Sequence, residues 1–136
     1  MTSPHQFLHP SHWKATPGYS NGMAAKGRLV VTGGMVGWNA DQQFESDDFA
    51  AQAGQALRNI VSVLAEAGAA PNHIIRLTWY VTDKRAYLGS LADLGMFYKA
   101  AIGRHYPAMA LVQVVALVED RALVEIEAMA VVPEGA

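Results

Sequence analysis

Hydrophobic and polar residues recur along the chain with two clear periods. Over residues 74–82, Ile75, Leu77, Trp79 and Val81 fall on one side and Arg76, Thr78, Tyr80 and Thr82 on the other, the period of two expected of a half-buried strand. Upstream, Phe49, Ala53, Leu57, Ile60, Val61 and Leu64 recur at helical spacing, with Asp47 or Asp48 placed to cap the helix and Gly68 to stop it. A second helix is predicted over 86–102, where Leu88, Leu91, Leu94 and Tyr98 share a stripe that ends at Gly103. Strands at 108–117 and 122–131 follow, joined by the polar turn Glu119-Asp120-Arg121. Near the N-terminus, the β-rich run Leu29-Val30-Val31-Thr32 closes at Gly33-Gly34 and predicts a hairpin over 19–35. Residues 1–18 contain prolines and histidines without an apolar period, so an irregular arm is expected before a single domain at 19–136. The order β-β-α-β-α-β-β is of the α+β class: a mixed β-sheet with two helices on one face, leaving the other face for polar side chains or a partner.

The last two strands bear on that second face. Val124, Ile126 and Ala128 alternate with Leu123, Glu125, Glu127 and Met129, so the glutamates point away from the helix-covered core. On the preceding strand both sides are largely apolar: Ala108, Ala110, Val112 and Val114 on one, Met109, Leu111, Gln113 and Val115 on the other. An apolar sheet face without helices predicts burial between subunits. Two readings stay open for the glutamates, ordinary exposed strand residues or carboxylates beside a subunit interface.

Composition narrows the function. With 136 residues, 51% hydrophobic, and a net charge of -2, the chain buries roughly two thirds of the surface its unfolded form exposes and needs no staple. Absence of cysteine excludes disulfide and thiolate chemistry. Charges of both signs are interspersed, so no basic face is available for nucleic acid or an anionic membrane. No apolar run approaches the roughly 20 residues that span a bilayer, and residues 1–10 lack the order of a signal peptide, which points to a cytoplasmic protein. His5, His9, His12 and His105 show no metal-ligand spacing, and no Gly-Lys-Ser/Thr follows Gly33-Gly34 and Gly37. Neither metal nor cofactor is expected.

Gly18-Tyr19-Ser20-Asn21, Thr32-Gly33-Gly34-Met35, Pro107-Ala108 and Val124-Glu125-Ile126-Glu127-Ala128 resemble motifs of the Rid (YjgF-type) enamine/imine deaminase family, over residues 19–132. The resemblance implies a chorismate-mutase-like fold, a homotrimer with its sheets packed around a central barrel, and a small-molecule substrate bound in clefts between subunits. It implies that Glu125 positions the attacking water, that Tyr19 lines the pocket and that the backbone at Gly34 and Ala110 contacts substrate. One departure matters most. The family usually reads Pro-Ala-Arg, and Met109 stands where the arginine would hold the substrate carboxylate. A charged hydrogen bond of that kind contributes about 1.5–3 kcal/mol, so a carboxylate ligand loses about 10- to 100-fold in affinity. With Trp38 and Leu111 beside Met109 the cleft becomes more apolar, and Arg76 and Arg104 are the candidate substitute cations. The second helix also reads about one turn longer than the family's. The expected activity is a hydrolase, deaminase or tautomerase adding water to an enamine, imine or unsaturated catabolic intermediate other than a simple amino-acid imine. The alternative is a non-catalytic trimer that binds a metabolite or acts as a chaperone.

Overall fold

In the computed structural model, which describes residues 2–135, the strand Val124–Pro133 organises the sheet. In chain order the elements are β1 (Gln6–Leu8), β2 (Gly22–Ala24), β3 (Gly27–Val31), β4 (Met35–Val36), α1 (Phe49–Ala65), a 3-10 turn (Pro71–His73), β5 (Ile74–Val81), α2 (Lys84–Leu88), α3 (Leu91–Ala101), β6 (Ala108–Gln113) and β7 (Val124–Pro133). The sheet runs β3-β7-β5-β6, with β4 also paired to β7. Every pairing is antiparallel except β5 with β6, which is parallel. The mixed sheet with its helices on one face is therefore as expected.

Alternation decides which side of each strand is buried. Val124, Ile126, Ala128 and Ala130 of β7, and Leu77, Trp79 and Val81 of β5, form one core with Ala53, Leu57, Ile60 and Leu64 of α1. Asp48 is the residue that caps α1, its carboxylate accepting from the Ala51 amide at 3.0 Å. Gly68 takes the left-handed conformation after the helix (φ 73°). Among the described residues no helix packs on the opposite face. There the cross-strand register lines up Arg76 with Met129, Thr78 with Glu127 and Tyr80 with Glu125, while Leu29, Val31, Val112 and Met129 are exposed.

Several local expectations are corrected. The hairpin over 19–35 does not form: β2 pairs with β1, and β3 pairs with β7. Gly27 starts β3 at φ 147°, where a Cβ would lie 2.9 Å from the Val132 carbonyl carbon, so this segment is committed to β7. Ser20, meanwhile, bonds to Pro107 beside β6. The arm expected to be irregular carries β1, and three residues are too few to show a period. His5 Nε2–H donates to the Val131 carbonyl at 2.6 Å, and Ser3 Oγ donates to Asn72 at 2.8 Å. Phe7 meets His105 edge-on, and the buried His105 donates to the Ile74 carbonyl at 2.7 Å. Burial holds the His105 pKa below the ordinary imidazole value, against the raising effect of that bond, with His5 and His73 lowering it further.

The second helix is two, broken at Gly89-Ser90. Asp83 caps α2 through the Arg85 amide at 2.9 Å, Gly89 closes it, and Ser90 accepts the first bond of α3. Leu88, expected in the buried stripe, is exposed, whereas Leu94 is buried. In β5 a register shift between Ile74 and Arg76 buries Ile74 in place of Ile75. Finally, β6 and β7 are not neighbours; β5 lies between them. β6 ends at Gln113, after which Val115 and Val118 are exposed.

Candidate functional site

Glu125 is held in the middle of the open face, opposite Tyr80 of β5 on one side and Val36 of β4 on the other. The chain enters β4 through Gly34, and a Cβ there would fall on the Glu125 carboxylate, 2.7 Å from its Cδ and 3.0 Å from its Cγ. Only glycine leaves room for the carboxylate in this position. Among the described residues no hydrogen bond is made to it. Glu127, two residues on, differs: it accepts from the Tyr80 hydroxyl at 2.8 Å. That bond is the first cause of a Tyr80 pKa above the ordinary phenol value; partial burial and the charges of Glu127 and Glu125 add to it, and Arg76 opposes it. Arg76 lines a depression with Thr78, Glu127 and Met129, separated from Glu125 along the face by the Thr78–Glu127 pair.

Met109 lies on the other face. Its register partner in β5 is Leu77, and Leu111 is paired with Trp79, so both point to the helix side. Ala110, opposite Thr78, is on the Glu125 side. Between β5, β6 and α2–α3 is a cavity of about 160 Å³, with Leu77, Trp79, Leu91, Leu94, Tyr106 and Met109 in its wall. Among the described residues no charged side chain lines it. Tyr98 stacks on Tyr106 with ring centroids 5.4 Å apart and donates to the His105 carbonyl at 2.5 Å. Burial raises the pKa of Tyr98, with the nearby Tyr106 phenol adding to it, and burial alone raises that of Tyr87.

Tyr19 reaches the same neighbourhood. Ser20 ties this segment to the start of β6, its amide donating to Pro107 at 3.1 Å and its hydroxyl to Tyr106 at 2.5 Å. Tyr19 and Arg104 border a shallow depression that shares Gly18 and Tyr106 with the Met109 cavity. Arg104 lines that depression and is not in the cavity wall, and Arg76 belongs to the opposite face. Trp38 is elsewhere. It packs on Phe44 with centroids 5.8 Å apart, and its carbonyl accepts from Asn59 of α1 at 2.8 Å. The expected grouping of Met109, Leu111 and Trp38 does not form within one chain: Trp38 follows β4, which joins the sheet at β7, and β5 separates β7 from β6.

The candidate residues therefore fall into two groups: Gly34 and Glu125 on the helix-free face, and the Met109 cavity on the helix side, with Tyr19 and Arg104 in the depression beside it. Sequence reading missed Trp79, Leu94 and Gly95 as cavity residues. Trp79 lay on the correct side of the β5 alternation, but only the parallel pairing with β6 sets it beside Met109.

This arrangement has relatives. The model of the family described as Endoribonuclease L-PSP matches residues 10–132. A RutC family protein of Haemophilus influenzae is 33% identical over 105 residues, covering 77% of this chain and 80% of the relative. A 2-iminobutanoate/2-iminopropanoate deaminase of Escherichia coli is 32% identical, covering 77% of this chain and 80% of that one. Among solved structures, the Rid-family protein YyfB of Yersinia pestis superposes with a TM-score of 0.83 at 29% identity, covering 94% and 98% of the two chains. The YjgF gene product of E. coli gives 0.65 at 31% identity, covering 86% and 90%. The chain belongs to the Rid (YjgF) family of small α+β proteins. Among the described residues no helix is long and apolar enough to cross a membrane.

Proposed function

We propose that this Rid protein adds water to the C=N bond of a neutral imine, in a site where Glu125 of one copy faces the Met109 cavity of the next within a homotrimer. The observation that carries the reading is the Glu125 carboxylate, seated on Gly34 with no hydrogen-bond partner of its own. Such an acceptor binds water, takes one proton as the oxygen attacks the imine carbon and passes it to the nitrogen, giving the carbinolamine. The same carboxylate then takes the hydroxyl proton and delivers it to the nitrogen as the C–N bond breaks, leaving a carbonyl compound and ammonia. β6 is the edge strand of the sheet, so backbone amides near Ala110 are available to polarise the substrate. A homotrimer is supported by the exposed Leu29, Val31, Val112 and Met129 on the helix-free face.

Deaminase chemistry on small keto-acid imines is the named activity of the E. coli relative. Carried here, it meets a cavity with Met109 and no charged lining. The substrate we infer therefore lacks the carboxylate. The test is ammonia release, comparing imines made in situ by an amino-acid oxidase with neutral imines made by an amine oxidase. Acceleration of the neutral imines alone is expected. Met109→Arg is expected to raise the rate on carboxylated imines by about 10- to 100-fold, from the strength of a charged hydrogen bond. No acceleration on either series by the intact oligomer would favour the non-catalytic, metabolite-binding alternative, and proton transfer without ammonia release would identify a tautomerase.

A further inference from the structure

We propose that the Met109 cavity is a specificity pocket for one uncharged six-membered ring. This deepens the reading above and rests on it: the ring would be the substituent of the neutral imine. Size gives the first argument. The cavity is about 160 Å³, and a cavity of about 150 Å³ with aliphatic and aromatic walls stays dry and holds benzene. A fused bicycle overfills such a space, and a short acyclic chain leaves wall atoms without contacts.

Wall chemistry gives the second. Leu77 and Leu94 are buried, Met109 closes the β6 side, and the Tyr98–Tyr106 stack stands at one end. With no counter-charge in the lining, a carboxylate would be desolvated and unpaired. Finally, Gly95 on α3 lines the cavity, yet a Cβ there would meet nothing within 4 Å. Glycine inside a helix is unfavourable relative to alanine, so an open position at this spot is an entrance kept free.

The probes are benzamide, benzoate and butanamide, titrated calorimetrically into the full chain in the absence of any turnover. Benzamide is expected to bind at least about 10-fold more tightly than benzoate, which carries an uncompensated charge. It should exceed butanamide, which lacks the ring, by a similar factor. Gly95→Leu, whose Cβ meets no atom within 4 Å, should fill the entrance and abolish benzamide binding while the protein melts no lower than the parent. Equal or tighter binding of benzoate, or undiminished benzamide binding by Gly95→Leu, overturns the pocket. Ammonia release from neutral imines without benzamide binding would remove this inference and leave the water-addition reading intact. Benzamide binding without any turnover would do the reverse.

Discussion

Glu125→Gln is expected to lower kcat/KM by about 10²- to 10⁴-fold, the usual contribution of a positioned general base, with benzamide binding unchanged. The substitution is nearly isosteric, so the amide still fits over Gly34 and the cross-strand neighbours Val36 and Tyr80 stay in place. What disappears is the capacity to take a proton from water. Glu127→Gln is the informative control. Its side chain still offers a carbonyl oxygen to the Tyr80 hydroxyl, which now sits 2.8 Å from Glu127 Oε1, and the loss should stay within about 5-fold, the scale of weakening one charge-assisted bond to a neutral one. Steady-state rates on the same neutral imine for both variants make the comparison. Equal losses would mean that the carboxylates act through the sheet's electrostatics and that Glu125 has no separate role.

The second large effect concerns stability. Gln52 is 1% exposed, and its amide ties α1 to both flanking loops: Nε2 donates to the Ser46 and Arg121 carbonyls at 3.0 Å each, and Oε1 accepts from the Leu123 amide at 2.8 Å. Gln52→Leu keeps the volume but strands three backbone groups, each costing on the order of 1–3 kcal/mol when buried. Some will find water as the loops shift, so a net loss of about 3 kcal/mol is expected, or roughly 10 °C in Tm for a chain of this size. Urea unfolding followed by circular dichroism measures it. The nearby Arg121–Asp47 pair, at 2.7 Å but with both side chains more than half exposed, should contribute less than about 1 kcal/mol. Arg121→Ala is therefore expected to be mild where Gln52→Leu is not.

Legibility in the sequence followed the range of the interactions. α1, β5 and β7 each bury one face through a local period, and Asp48 and Gly68 are local signals, so these elements could be read directly. The pairing of β2 with β1 instead of β3, and the insertion of β5 between β6 and β7, are choices among distant partners. No period encodes them. The break at Gly89-Ser90 was hidden because Leu88, Leu91, Leu94 and Tyr98 continue a helical stripe through it, and Ser90, which starts α3 by accepting from the Leu94 amide, makes no side-chain cap there. For the site, Glu125, Gly34 and Met109 were singled out through family motifs. Their distribution over two faces was not legible, since it depends on the parallel register that pairs Met109 with Leu77. The buried Trp79 and the open Gly95 read in sequence as an ordinary core aromatic and an ordinary helix weakness.

Because the cavity and the carboxylate lie on opposite faces of one sheet, the catalytic unit in the proposed assembly is the seam between chains, and the chain is only a carrier of two unlike edges. Genetic dominance then takes an unusual form. Glu125→Gln and Gly95→Leu should each be inactive alone, yet refolding them together from denaturant should restore turnover, since some seams would join an intact cavity from one chain to an intact carboxylate from the other.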